Sequence, residues 1–423
     1  MKTDAYKRSR TLYIGEAALE YLISILVAGT YLATITKALG ISDTLTGIIS
    51  AFISLGCVFQ LCGIFLPRTN PKKTVLVFSV LNQLLFMALY VIPLVGGGKK
   101  WGTAAFIVLI LLAYFFYNIV HPKKVDWLMG LVDHDKRGVF TAKKEMVSLI
   151  AGMAFSFLMG AIVDHYKAAG NLRMAFVICA VAIFVLMILH TLSMVLTCEK
   201  PHEQTTETPS RGRLFAALKD KRILRITLVF VLWHVATYCA TPFYGTYQII
   251  ELGFTQVFVA VLSLLYAVAR ISFSFMWGRY ADKQSFAKML RLCFAVAALG
   301  FLCNVFCVPQ NGRVLYTLYY ILNAIAMGGI NSALTNLCFD YVDEEKRADA
   351  LAVSLAVSGV CGFLSTLAVS PLVTYIQANG NLLFGISVYA QQVLSLISFV
   401  MTVITMLYVS LSLVKIKKIN QAE

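Results

Sequence analysis

Twelve long apolar segments, separated by short polar ones, make up most of this chain. Each is long enough for a helix that crosses the hydrocarbon core of a bilayer, which takes about 20 residues. We predict spans at residues 12–37, 43–66, 74–95, 102–122, 143–165, 173–197, 223–248, 255–277, 289–308, 314–338, 350–376 and 384–412. The pattern therefore predicts an all-α integral membrane protein with twelve transmembrane helices.

The pattern occurs twice along the chain. Segment 132–137 (VDHDKR) recurs as 342–347 (VDEEKR), 210 positions later, and Gly29-Thr30-Tyr31 recurs as Gly245-Thr246-Tyr247. We predict two six-helix bundles, at residues 1–197 and 223–423, joined by a cytoplasmic linker at 198–222 whose part 214–220 can form a surface helix. Membrane proteins built from two similar halves are typically secondary transporters.

Composition and charge agree with a membrane protein. The chain is 59% apolar with a mean hydropathy of +0.78, and only 13% of its residues are charged, against about 25% in soluble domains. Of the 36 Lys and Arg residues, 29 lie in segments on the N-terminal side of the membrane and six on the other. The positive-inside rule places both termini in the cytoplasm, so the net charge of +15 reports topology and does not indicate a nucleic-acid partner.

Cysteine usage indicates neither disulfides nor a metal site. The ten cysteines are dispersed along the spans without a CxxC pair, as expected of small apolar side chains. We therefore expect no metal. Separately, we expect no cofactor, and we expect the protein to be a multi-pass monomer of the plasma membrane.

Two carboxylates lie inside the first span. Glu16 and Glu20 are one turn apart on one helix face, and Glu20 lies about 15 Å deep if the helix enters the bilayer near Arg10. A carboxylate at that depth must be paired or protonated, and two at this spacing raise each other's proton affinity. We predict a proton-coupling site here. A structural pair bonded to a neighbouring helix is the alternative, and sodium is not excluded as the coupling ion.

Other polar residues within the spans are candidates for binding the substrate. Arg270 in the eighth span requires a water-filled cavity or a carboxylate partner, so it could bind an anionic substrate or pair with Glu20. His121 and Asp126 form a polar cluster at the end of the fourth span, where we expect Lys123 and Lys124 to reach the headgroups. The remaining candidates are Asn118, Tyr31, Tyr247, His234 and Asn331. We expect the isolated His190 to be structural.

Small residues and prolines predict how the spans pack and bend. Ser148, Gly152, Ser156 and Gly160 recur every four residues in the fifth span, and Ser354, Ser358, Gly362, Thr366 and Ser370 do so in the eleventh. Such faces let helix backbones approach closely in lipid. Pro242 and Pro371 predict breaks in the seventh and eleventh spans.

The loop after the eighth span carries a family resemblance. Gly278-Arg-Tyr-Ala-Asp282-Lys283 resembles the G-x-x-x-D-R/K loop of the major facilitator superfamily, although the first-half loop has Pro67 at the position of the Asp. Lys136-Arg137-Gly138 resembles that superfamily's second cytoplasmic loop. The resemblance implies the superfamily fold, alternating access, and a cytoplasmic latch in which Gly278 permits tight helix contact. The latch residues it implies are Gly278, Asp282, Lys283, Gly63, Arg68, Arg137 and Arg347.

We therefore predict a secondary active transporter that moves a small solute, with proton-coupled symport of a polar or anionic compound such as a sugar or an organic acid. An efflux antiporter for drugs is the alternative, although the fifth span lacks the proline of the Gly-Pro-rich antiporter signature. A third hypothesis is a non-transporting membrane sensor. An enzyme is disfavoured because no HExxH, GxSxG or phosphate-loop motif is present. The expected partners are the solute, protons and the lipid bilayer.

Overall fold

The computed structural model describes residues 2–61, 71–96, 100–132, 137–199, 220–342 and 347–413, and nearly all of them are helical. The helices of the first half are α1 (Lys2–Leu26), α2 (Gly29–Ala38), α3 (Asp43–Ser50), α4 (Gly56–Leu61), α5 (Pro71–Gly96), α6 (Lys100–Met129), α7 (Arg137–Ala168) and α8 (Leu172–Leu196). Those of the second half are α9 (Lys221–Tyr238), α10 (Tyr244–Thr246), α11 (Gln256–Lys283), α12 (Phe286–Val305), α13 (Gly312–Tyr341), α14 (Arg347–Ala378) and α15 (Ala390–Ser412).

The helix lengths confirm the all-α membrane class. Within the described ranges, ten helical segments are long and apolar enough to cross a membrane, and the bent pair α1–α2 makes an eleventh span. The predicted span 43–66 is described only to residue 61, as α3, a 3-10 turn at Ala51–Leu55, and α4. The last predicted span begins later than expected, because Leu382–Leu383 and Ile386–Ser387 form a short antiparallel hairpin, β1 and β2, before α15.

The two halves bend their first helices at related places. In the first half, α1 and α2 meet at an angle of 41°, and Gly29 there has a φ of +52°, which a residue without Cβ adopts readily. In the second half, α9 ends at Tyr238 and a 3-10 turn containing Pro242 follows. The break predicted at Pro371 is wrong, because that proline lies inside the continuous helix α14.

The chain forms two compact units, one of residues 1–205 with 254–261 and one of residues 206–253 with 262–423. In the first unit, α5 packs on α6 and α8, and α1 packs on α7 and α8. In the second unit, α12 packs on α13 and α15, and α9 packs on α14 and α15. Corresponding helices thus pack in the same way in both units, which is the structural counterpart of the sequence repeat. The predicted surface helix lies outside the described residues except for Asp220, which caps α9.

The small-residue faces pack as predicted. Two residues of α14 hydrogen-bond to α9. Thr366 donates its hydroxyl to the Tyr238 carbonyl (2.7 Å), and the hydroxyls of Ser354 and Thr227 hydrogen-bond to each other (2.9 Å). In α7, Gly152 faces the Tyr21 ring of α1 so closely that an added Cβ would overlap it. The stripes therefore bring helix backbones together where lipid supplies no hydrophobic drive.

The first turn of α11 belongs to the first unit and is held by α7. The two carboxylate oxygens of Asp164 accept the backbone N–H groups of Gln256 (2.9 Å) and Val257 (2.8 Å). The Gln256 side chain also bonds to Thr30 Oγ1 (2.5 Å) and to Thr34 Oγ1 (3.0 Å). A carboxylate at a helix start satisfies free N–H groups and interacts favourably with the helix dipole.

Candidate functional site

A network of polar side chains lies inside the first unit, where four helices meet. Helix α1 contributes Glu16 and Glu20, one turn apart, and α6 contributes Lys124. His190 comes from α8 and Gln83 from α5. Because α1 packs on α8, and α5 packs on both α6 and α8, these side chains converge although they are far apart in sequence.

The five side chains form a continuous chain of hydrogen bonds and ion pairs. The Nζ atom of Lys124 lies 2.6 Å from Glu20 Oε2 and also contacts Glu16 Oε1. The same Glu16 oxygen lies 2.8 Å from His190 Nε2. On the other side of the imidazole ring, Gln83 Nε2 lies 3.0 Å from His190 Nδ1. We call these five residues the ion cluster.

Burial makes the charges of the ion cluster interdependent. The side chains of Glu16, Lys124 and His190 are 1%, 6% and 0% exposed, whereas that of Glu20 is 22% exposed. An unpaired charge is costly in such a place, so each carboxylate depends on Lys124 for its counter-charge. Of the four charged or titratable members of the cluster, Glu20 has the most exposed side chain.

The hydrogen bonds of His190 define donor and acceptor roles. A carboxylate oxygen can only accept, so His190 donates Nε2–H to Glu16, and in the observed amide orientation Nδ1 accepts from the Gln83 amide. Two buried acceptors, Glu16 Oε2 and Gln83 Oε1, have no hydrogen-bond partner among the described residues. The ion cluster thus combines two acids, one lysine and one histidine with two spare acceptors.

Further titratable groups surround the ion cluster on α1, α6 and α7. The Tyr117 ring lies 5.6 Å from that of His121, whose Nδ1 is buried without a partner in the described part of the chain. Lys144 Nζ lies 3.5 Å from the Tyr13 hydroxyl and 5.1 Å from the centre of its ring. These contacts place a second lysine next to the cluster, and its described partner is Tyr13.

The acidic and imidazole groups of the cluster are close enough to hold a metal ion. Ligand atoms of Glu16, Glu20 and His190 lie within 4.8 Å of one another. The ammonium group of Lys124, however, already contacts both carboxylates. The Lys124 ammonium group therefore supplies the positive charge that a bound metal ion would otherwise bring to these two carboxylates.

A cavity of about 400 Å³ lies inside the second unit, among α9, α13 and α14. Its described lining residues are Phe230, Trp233, His234, Thr237, Tyr238, Met327, Asn331, Leu334, Thr335 and Leu355. The cavity brings together two predicted substrate-binding residues, His234 and Asn331. His234 Nδ1 lies 2.9 Å from the Phe230 carbonyl, and its ring is parallel to that of Tyr238, with a centroid distance of 6.0 Å.

Five other predicted substrate-binding residues are not among the described residues that line this cavity. Asn118 is buried against Gly56 and donates to the Tyr114 carbonyl (2.8 Å). Tyr31 and Tyr247 are buried and donate their hydroxyls to backbone carbonyls, of Ser156 (3.3 Å) and Cys307 (2.6 Å) respectively. Arg270 is half-buried in α11 and is not among the described residues that line the cavity. Asp126 lies on α6, where only its backbone is described.

The predicted latch is described only in part. Gly278 lies within α11, and a Cβ added there would meet no atom within 4 Å, so the tight helix contact expected of it is not found among the described residues. Lys283 is exposed at the end of the same helix. Asp282, Arg137 and Arg347 lie on described helices without described side chains, and Gly63 and Arg68 lie outside the described residues.

Three of the five residues of the ion cluster, Gln83, Lys124 and His190, were not predicted as site residues. Lys124 does not reach the headgroups as we expected but is buried between two carboxylates, and His190 is not isolated but bonded on both ring nitrogens. A signal was present, because two acids within a span require a basic partner nearby. Lys124 lies two residues after the predicted fourth span, and His190 lies within the predicted sixth span.

Comparison with known proteins assigns the family. The sequence matches the profile of the Major Facilitator Superfamily over residues 17–366, which extends from α1 into α14. The chain belongs to the major facilitator superfamily. This superfamily member is thus a multi-pass membrane protein, and the family resemblance seen in its sequence is confirmed. No curated protein shows significant sequence similarity to it.

Solved structures of superfamily-type transporters share the fold over nearly the whole chain. A mutant of the nucleoside transporter NupG matches with a TM-score of 0.74 at 15% identity, covering 96% of this chain and 99% of that one. The POT family transporter PepTSo gives 0.70 at 12% identity, with coverages of 96% and 99%. A D-xylose-proton symporter gives 0.66 at 11% identity, with coverages of 94% and 96%. At such identities the likeness establishes the transporter fold.

Proposed function

We propose that this protein is a secondary active transporter that couples the movement of a small polar solute to protons, by alternating access of its two bundles. The observation that supports this proposal is that the buried ion cluster contains two acids but one lysine, together with a histidine and two spare acceptors. With both acids ionised and the histidine neutral, one added proton would neutralise these four residues, and a neutral group is far less costly to keep in a low-dielectric interior. The occupancy of this site by a proton is then linked to the conformations that the protein can adopt.

The ion cluster offers a place for that proton. If the Gln83 amide turns over, its unpartnered Oε1 faces His190 Nδ1 and accepts a second imidazole N–H. His190 would then carry a positive charge and still donate to Glu16, so the rearrangement keeps every existing contact of the carboxylates. Glu20, which is the most exposed member of the cluster, would pass protons between water and the buried groups.

The cavity of the second unit supports the solute-binding part of the proposal. Its volume falls within the usual range of small-molecule sites, and it combines apolar walls with a few polar groups. Proteins that share the fold are named as a nucleoside transporter, a peptide transporter and a D-xylose-proton symporter. These substrates differ widely, so they support transport of a solute and do not select one.

Proteoliposomes with an imposed pH gradient test the proposal. Radiolabelled uridine, D-xylose and succinate serve as probes of three solute classes. We expect one of them to accumulate against its gradient and a protonophore to abolish the accumulation. Glu20→Gln and His190→Gln should retain exchange of that solute at equal concentrations but lose its accumulation. His165→Gln, at an exposed histidine of α7, is the matched control and should behave as wild type. Accumulation that both cluster variants retain, or that needs a sodium gradient, would contradict proton coupling through this cluster.

Efflux of hydrophobic compounds is the second candidate, because Phe230, Trp233, Met327, Leu334 and Leu355 give the cavity largely apolar walls. This function predicts that inside-out vesicles take up a hydrophobic cation such as ethidium while protons leave. Uptake of ethidium without uptake of any of the three polar probes would favour efflux.

A further inference from the structure

Part of the cavity wall in the second unit corresponds in the sequence repeat to part of the ion cluster in the first. With the 210-residue offset of the repeat, Lys124 corresponds to Leu334, which lines the cavity. With the 216-residue offset of the Gly-Thr-Tyr copies, Glu20 corresponds to Ala236, beside the lining residue Thr237. The repeat therefore places charges at this location in one unit and uncharged side chains in the other.

The described walls of the cavity offer no counter-ion. None of its described lining residues carries a formal charge, and Trp233 and Leu334 are themselves 4% and 5% exposed. A charged ligand group would lose part of its hydration there without gaining a counter-ion from these residues, which is unfavourable. Arg270, the cation predicted to receive an anionic substrate, is not among the described lining residues. The cavity thus fits a neutral ligand.

His234 adds a directional requirement. A carbonyl oxygen can only accept, so His234 donates Nδ1–H to the Phe230 carbonyl, and the neutral ring then presents a lone pair on Nε2. A ligand that uses this atom must supply an N–H or O–H donor. The imidazole is stacked parallel to the Tyr238 ring, within 6°, and both rings line the cavity together with Trp233, so the wall on α9 is aromatic.

A second part of the cavity wall, on α13, offers an amide. Asn331 and Thr335 lie one turn apart, are both exposed, and line the cavity, with Thr335 donating to the Asn331 carbonyl (3.2 Å). A side-chain amide presents one acceptor and two donors in a single plane. This pattern complements the adjacent donor and acceptor edge of a nucleobase, whereas the hydroxyls of a sugar do not share such a plane.

We propose that this cavity binds a neutral solute with a planar, hydrogen-bonding ring, of the nucleobase or nucleoside class. The ring lies against the aromatic wall, donates to His234 Nε2, and pairs its edge with the Asn331 amide. This inference rests on the proposed function, since it names the substrate class of the same transporter. It selects a neutral ring over the anionic class that the sequence also admitted.

Isothermal titration of the full-length protein in lipid nanodiscs tests this assignment. The probes are uridine, adenosine, uridine 5′-monophosphate, D-xylose and succinate, at one pH and without a gradient. We expect at least one of the two nucleosides to bind, and the monophosphate to bind at least tenfold more weakly than uridine. His234→Phe keeps a ring beside Tyr238 but removes the Nε2 acceptor, so nucleoside affinity should fall at least tenfold. His165→Phe, at the exposed histidine of α7, should leave it unchanged.

A second variant keeps the test decisive if His234→Phe does not fold. Asn331→Ala shortens an exposed side chain, so it should fold normally and still weaken nucleoside binding at least tenfold. Asn379→Ala, at an exposed asparagine beyond α14, is its control. Three binding results would overturn the assignment: tighter binding of succinate or the monophosphate than of the nucleosides, binding of D-xylose without binding of either nucleoside, and binding of none of the five probes. Wild-type nucleoside affinity in Asn331→Ala would overturn it as well.

Failure of this assignment is distinguishable from failure of proton coupling. Nucleoside binding without accumulation under a pH gradient would leave the substrate class standing and remove the coupling. Proton-driven accumulation of D-xylose by a protein that binds no nucleoside would support the coupling and remove the substrate class.

Discussion

His190 Nε2 lies 2.8 Å from Glu16 Oε1, although the two residues are 174 positions apart in the chain. The contact joins the first and last spanning helices of the first unit. It also orients the imidazole, because the bond to Glu16 determines which ring nitrogen carries the proton. A histidine that looks isolated in sequence thus becomes the innermost member of a buried charge network.

Replacement of Lys124 should destabilise the protein strongly. Lys124→Met leaves Glu16 and Glu20 without their shared cation, and loss of one partner from a buried ion pair costs about 3–5 kcal/mol. Thermal unfolding in detergent should show a clearly lower midpoint than that of Lys73→Met, which removes an exposed lysine on α5. Equal midpoints for the two variants would mean that the buried lysine does not balance the carboxylates.

The triple variant Glu16→Gln, Glu20→Gln, Lys124→Met should recover much of this loss. It removes the carboxylates together with their cation, so no charge among these three residues stays uncompensated, and well-packed neutral residues can replace a buried ion network with little loss of stability. The measurement is again the unfolding midpoint, compared with that of Lys124→Met alone. A triple variant less stable than the single one would show that the lost stability came from packing and not from charge.

Gly152→Ala should destabilise the contact between α7 and α1. Its methyl group would overlap the Tyr21 ring, and overpacking of this kind costs about 1–3 kcal/mol. Gly278→Ala is the matched helical control, since a Cβ there meets nothing within 4 Å. We expect a lowered unfolding midpoint for the first variant and an unchanged or raised one for the second. The reverse order would contradict the packing role of the small-residue face.

Asp164→Ala should loosen the start of α11. The substitution removes the acceptors of the Gln256 and Val257 N–H groups, and loss of a helix cap costs about 1 kcal/mol. Hydrogen exchange measured by mass spectrometry should be faster in the first turn of α11. Glu145→Ala, an exposed acid on the same helix as Asp164, should leave that exchange unchanged. Unchanged exchange in Asp164→Ala would show that other bonds hold this turn.

The fold could be predicted from sequence because it depends on patterns that are local or periodic. Apolar runs locate the spans, and the 210-residue repeat predicts that helices pack alike in both halves, as they do. Pro371 shows the limit of such rules, since neighbouring helices can support a proline within a continuous transmembrane helix.

The candidate site was harder to predict because its contacts are not local. Glu16 and Glu20 lie on adjacent turns of one helix and could be recognised together, whereas Lys124 is 104 positions from Glu20. A lysine near the end of a span can extend to the headgroups or turn inward, and only the packing of α1, α5, α6 and α8 decides between these outcomes. His234 and Asn331 were recognised by residue type, but the cavity that joins them is a property of helix packing.

The order in which the ion cluster is synthesised has a consequence for biogenesis. Glu16 and Glu20 emerge from the ribosome about a hundred residues before Lys124, and His190 emerges later still. A nascent chain that ends before α6 offers the translocon a first helix with two unmatched acids, which insert poorly into lipid. Stable insertion of α1 is therefore expected to wait for α6 and α8, yet it needs no residue from the second half. The helices of the first six spans contain all five residues of the ion cluster, so the cluster can form while the rest of the chain is still being made.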